Sequence, residues 1–141
     1  MNDPLTRFPG YSLRRAANAA GAELSGRLAE LDLRQADASV LLLIGDSPDI
    51  TASALGRQLD IQRANMVPLL KRLEAAGLIE RHAIDGKSQG LVLTASGERT
   101  RKAALGVIEA FEAELLSRVP SPHREHLLPA LNSLWQSEGE Q

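Results

Sequence analysis

The chain has 141 residues, 16 Lys/Arg against 18 Asp/Glu for a formal charge of −2, and 43% hydrophobic residues. That balance is ordinary for a folded domain and argues against disorder. The absence of cysteine excludes disulfides, thiolate metal sites and thiol redox chemistry. The longest apolar run, residues 40–44, falls far short of a membrane helix. Residues 1–7 lack the apolar core of a signal peptide. A cytoplasmic protein with no membrane partner and a single domain over 1–141 is therefore expected.

Leu13, Ala17, Ala20, Leu24, Leu28 and Leu31 recur at three- and four-residue steps and predict a long helix over residues 11–31. Its alanines would let a second helix approach closely. Residues 35–44 predict a short helix stopped by Gly45, although the run 40–44 also fits a buried strand. Thr51 is suited to cap a third helix over 52–59. Asp60, Ile61 and Gln62 form a tight connection into a fourth helix, which ends at Gly77 and turns Met66, Leu69, Leu70 and Leu73 inward. Pro68 interrupts that helix. Either it kinks there, or its first regular turn starts at Asn65 with Asn65 as the cap.

The period then drops from 3.6 to 2. Residues 78–84 and 90–94 predict two strands, with Asp85-Gly86 as the hairpin signal and 85–89 as a polar tip. Thr94 can cap a long helix to about Val119, with Ala104, Val107, Ile108, Phe111, Leu115 and Leu116 on its apolar side. Pro120-Ser121-Pro122 breaks it. Ser121 can cap a last helix from Pro122 that carries Leu127, Leu128, Leu131, Leu134 and Trp135.

The predicted fold is mainly α with a small β-hairpin wing, a winged helix-turn-helix flanked by helices. The lobe spans 35–95. Residues 11–31 with 96–137 carry more apolar surface than so small a domain needs, and subunit pairing is the simplest use for it. Charge follows the same division. Residues 51–102 hold nine Lys/Arg and five Asp/Glu, a net of +4, between flanks of −2 and −4. A basic centre between acidic ends suggests a surface for a polyanion.

Three stretches carry a resemblance. They are Ala54-Leu55-Gly56-Arg57-Gln58-Leu59, the run from Leu69 through Arg72-Leu73-Glu74 to Gly77-Leu78-Ile79-Glu80-Arg81, and Leu93-Thr94-Ala95-Ser96-Gly97. Together with the helix order they resemble the MarR family of transcriptional regulators. The resemblance implies a homodimer, built from the first and last two helices, on a pseudo-palindromic operator in double-stranded DNA. It also implies a repressor released by a small aromatic or phenolic ligand, with no enzymatic activity and no cofactor. One recognition helix per subunit would enter a major groove, and each wing would reach toward a minor groove.

At the start of the recognition helix, Arg63 suits guanine and Gln62 or Asn65 suits adenine, with Pro68 beside them. Lys71 lies farther along, toward phosphate. Thr51 and Ser53 offer a helix start to a phosphate. Arg81 and His82 at the wing's base and Lys87 with Ser88 at its tip complete the DNA-facing set. The resemblance implies that Arg72 pairs with the wing aspartate, here Asp85. Tyr11, Arg14 and Arg15 mark a candidate ligand pocket, because an arginine there can hold a carboxylate bidentately. The wing departs from the family in being short, with Lys87 as its single basic tip residue.

Rival readings have less support. His123 and His126 share a helix face but lack the third ligand a zinc site needs. Ile44-Gly45-Asp46-Ser47 resembles an esterase nucleophile block, yet the late Asp-x-x-His that would activate a serine is missing. The main alternative is a winged-helix module that binds protein and not DNA.

Overall fold

Pro9 opens the first helix, α1 (Pro9–Ala29), where its missing N–H costs nothing. It follows a 3₁₀ turn over Pro4–Arg7. The computed structural model describes residues 3–137. The chain packs as two units, Met1–Ile108 and Glu109–Gln141.

In the first unit, α1 ends before its apolar period does. Asp32 takes a left-handed φ of 57° and the Leu33 N–H closes back on the Leu28 carbonyl at 3.2 Å. Leu28 is the single buried residue of α1, and Leu13 is 42% exposed. Helix α2 (Gln35–Asp46) runs through Gly45 instead of stopping there. Gly45 lies close under Arg101: a Cβ on it would displace the Arg101 side chain. The apolar run is helical, because Val40, Leu41 and Ile44 share one buried face. The esterase-like Gly-Asp-Ser therefore sits at a helix end and not after a strand.

Thr51 caps α3 (Ala52–Leu59), its hydroxyl oxygen accepting the Ala54 N–H at 3.1 Å. Asp60 then turns left-handed, and the chain enters α4 (Arg63–Ala75) with Gln62 as the cap residue. Asn65 is not the cap. Its N–H already donates to the Gln62 carbonyl at 2.9 Å, so the helix has begun. Pro68 lies inside α4 and leaves the Ala64 carbonyl without its usual donor. Met66, Leu69, Leu70 and Leu73 are buried, as their spacing predicts. Gly77, at φ 75°, stops the helix.

Strands β1 (Ile79–Ala83) and β2 (Gln89–Leu93) pair antiparallel, from Ile79 opposite Leu93 to Ala83 opposite Gln89. Leu91 also exchanges backbone hydrogen bonds with the segment before α3. Its N–H donates to Ile50 at 2.9 Å, and its carbonyl accepts from Asp49 at 3.0 Å. Thr94 caps α5 (Ala95–Ser117) through the Gly97 N–H at 2.9 Å, and its hydroxyl donates to the Gly77 carbonyl at 2.6 Å. The core of this unit gathers Leu28, Val40, Leu41, Ile44, Leu55, Leu70, Ile79, Leu91 and Ala104. Fully burying each larger aliphatic side chain there contributes about 1.5–3 kcal/mol.

In the second unit, the end of α5 is closed by Arg124, whose guanidinium donates to the Val119 carbonyl at 2.8 Å and the Ser117 carbonyl at 3.0 Å. The last helix does not start at Pro122 under a Ser121 cap. Ser121–His123 form a 3₁₀ turn, and α6 runs from Arg124 to Asn132. Pro122 preceding the helix and Pro129 within it both limit its donors. Leu134 and Trp135 lie beyond α6, 67% and 71% exposed. Among the described residues, no helix is long and apolar enough to cross a membrane.

Candidate nucleic-acid interface

The start of α3 and the wing enclose a cleft of about 710 Å³ lined by Thr51, Ser53, Arg57, Arg81, Asp85 and Lys87, with Ser88 at its edge. Three cations and one carboxylate line it. The carboxylate is already committed: Asp85 accepts the backbone N–H groups of Lys87 and Ser88, both at 2.8 Å. Those two donors, Lys87 first, hold its carboxyl below the usual carboxylate range. The tip is therefore a five-residue loop, 84–88, folded on an aspartate, one residue earlier than the 85–89 that the sequence predicts. Thr51, Ala52 and Ser53 at the start of α3 line the same cleft, and a helix N-terminus favours anions.

A second cleft of about 440 Å³ lies between α3 and α4. Arg57, Arg63 and Arg81 edge it, and Met66, Val67 and Leu70 floor it. Arg57 lines both clefts. The sequence reading missed it, although it stands four residues after Ser53 on one helix face within the basic centre.

Gln62, Arg63, Asn65, Pro68 and Lys71 are all exposed along α4. Arg81 is half-buried and leans on α4, its Nε donating to Glu74 Oε1 at 3.1 Å. Its charge is thus held at the wing's base. His82 is 54% exposed, with Nε2 3.7 Å from Glu80 Oε2.

The expected Arg72–Asp85 pair is replaced by another. Arg72 bonds Asp37 of α2, a carboxylate only 2% exposed whose other oxygen accepts the Arg34 backbone N–H at 2.8 Å. A buried carboxylate needs a charged partner, and Arg72 reaches it from α4. Asp85 at the exposed tip gains more from its own loop amides.

At the start of α1, the Tyr11 hydroxyl donates to Asp3 at 2.7 Å and accepts from Arg15 at 2.9 Å. Both the Arg14 and Arg15 guanidiniums lie 5.8 Å from the ring centre. The hydroxyl, the Leu5 N–H and the nearby Arg15 hold the Asp3 carboxyl below its ordinary range. The three candidate ligand residues are thus brought together at Tyr11, whose hydroxyl is occupied by a carboxylate of the chain itself.

A family profile described as MarR family matches residues 31–88. The HTH-type transcriptional repressor Rv2887 of Mycobacterium tuberculosis is 30% identical over 127 residues, 89% of this chain and 91% of the relative. Among solved structures, the transcriptional repressor CouR bound to a 23-mer DNA duplex is similar at a TM-score of 0.86 and 30% identity, over 94% of this chain and 95% of that one. The complex of Rv2887 with salicylic acid is similar at a TM-score of 0.72 and 30% identity, over 94% and 97%. The winged helix-turn-helix, its basic clefts and this identity along most of the chain agree: the chain belongs to the MarR family of winged-helix transcriptional regulators.

Proposed function

We propose that the protein is a homodimeric repressor that binds a pseudo-palindromic operator and leaves it when a small aromatic acid binds. The observation that carries this reading is the convergence of Arg57, Arg63, Arg81 and Lys87 with the start of α3 around two adjoining clefts. Residues 35–95 form the DNA-binding lobe, and 11–31 with 96–137 the dimerisation helices. Arg63 reads a base edge with Gln62 and Asn65 beside it. Thr51, Ser53, Lys71, Arg81, His82, Lys87 and Ser88 meet phosphate and set the register. The DNA-bound relative CouR supports the first half of the reading, and the salicylic acid complex of Rv2887 the second. For the effector's carboxylate, the Tyr11 hydroxyl already holds a carboxylate, that of Asp3, with Arg15 beside it.

The test is fluorescence anisotropy of the purified protein on its own upstream intergenic DNA and on a scrambled duplex, across a salt series. Site-selective binding that weakens by orders of magnitude between low and physiological salt is expected. Equal, weak and salt-insensitive binding to both duplexes would move a protein-binding winged helix to first place. The single lysine at the wing tip is the observation that favours that second reading.

A further inference from the structure

The inward face of α4 is set by Met66, Leu69, Leu70 and Leu73. At about 100° per residue, the opposite face carries Ala64, Pro68, Lys71 and Ala75, all exposed. Val67 stands on the flank toward α3 and is 42% exposed. The two turns after Arg63 therefore present carbon: a methyl, an isopropyl group and a proline ring. Polar readers are scarce on this stretch. Arg72 is tied back to Asp37, which leaves Arg63 and Asn65 at the start and Lys71 one turn beyond the apolar patch. The flanking cations favour a nucleic acid opposite the patch, since Lys71 and Arg57 suit a phosphate backbone beside the base edge that Arg63 addresses.

We infer that Ala64, Val67 and Pro68 read thymine through its C5 methyl group, so that each operator half-site is thymine-rich opposite them and carries its guanine toward Arg63. This rests on the DNA-binding reading above. Carbon against cytosine N4, or against guanine O6 and N7, would strip those atoms of water and offer no hydrogen bond in return. A thymine methyl loses nothing in the same place, and its contact with an apolar side chain is one of the few ways a carbon surface distinguishes base pairs. Specificity here is discrimination against wrong edges as much as attraction to the right one.

The experiment selects binding sequences from a random duplex pool with the full-length protein. The enriched site is then remade with deoxyuridine at one thymine at a time, which removes only the methyl. At one or more thymines in each half-site, binding should weaken about fourfold, the worth of one buried methyl group. Val67→Ala should abolish or shrink that penalty at one of these positions, while Arg63→Ala leaves it unchanged. An enriched site whose affinity is indifferent to every deoxyuridine would overturn the thymine reading and leave the regulator standing. A penalty that survives Val67→Ala and matching Ala64 and Pro68 variants unchanged would also overturn it. Selection that enriches no sequence would overturn the DNA-binding reading and this inference with it.

Discussion

Arg63 and Lys87 carry the same charge and are expected to behave differently. Arg63 stands at the first position of α4, where a planar fork can address a base edge, so Arg63→Ala should cost about 1–3 kcal/mol of operator binding and alter sequence preference. Lys87 stands on the wing tip, and its compact ammonium keeps its water. Lys87→Ala should weaken all DNA about equally and flatten the salt slope in the same anisotropy assay. A shift of preference on Lys87→Ala would make the wing a base reader. Asp85 brings pH into the wing. Its carboxyl is held below the usual range by loop amides, so the order it confers is full at neutral pH and is lost as pH falls through the lowered value. Amide protection at Lys87 and Ser88, taken relative to the intrinsic exchange rate at each pH, should therefore fall on acidification, and Asp85→Ala should give the low protection already at neutral pH. High protection in that variant would show that other bonds order the tip.

Between elements, the interaction that joins α2 to the recognition helix is Asp37–Arg72. Asp37→Ala removes a charge-assisted bond and an N-terminal partner of α2 together. Arg72 is 41% exposed and can rehydrate, so the expected loss is about 1.5–3 kcal/mol in denaturant unfolding. This pair also marks the boundary of what the sequence makes legible. Thr51, Thr94, Gly77 and the row Met66, Leu69, Leu70, Leu73 follow from neighbours three or four positions away, and all four are found where local pattern puts them. Arg72 and Asp37 are 35 residues apart, and no local rule chooses between Asp37 and Asp85 as the partner. Gly45 misled for the same reason. Its local signature is that of a helix stop, while the group packed over it is the side chain of Arg101, far along the chain. The two prolines around Ser121 made a break legible but not the 3₁₀ turn that fills it. In the candidate interface, the exposed row of α4 was readable from periodicity. The role of Arg57 was not, because it depends on how α3 meets the wing.

For the whole molecule, apolar surface left open is the leading feature. In the second unit, Leu115, Leu116, Leu127, Leu128 and Leu131 border a groove of about 570 Å³, and Leu128 is 65% exposed. In the first unit, most of α1 before Gly21 is exposed, Leu13 at 42%, while Leu24 and Leu28 pack into the core. Exposed surface of this kind marks an interface, and a second copy of the chain is the occupant expected in the proposed homodimer. Leu128→Glu should shift sedimentation equilibrium from dimer to monomer. A variant that remains dimeric would place the interface elsewhere.

The backbone bonds between Leu91 and residues 49–50 bear on how such a molecule could let go of DNA. They rivet the base of the wing to the segment that leads into α3. The span from the Thr51 end of α3 to the wing is thereby held as a ruler within the chain. A small molecule cannot loosen the grip by stretching that ruler without breaking sheet bonds beside the fully buried Leu91. In the homodimer proposed above, release would then come from a change in the distance between the two subunits' rulers, so that one still matches its half-site while the other falls out of step with the helical repeat.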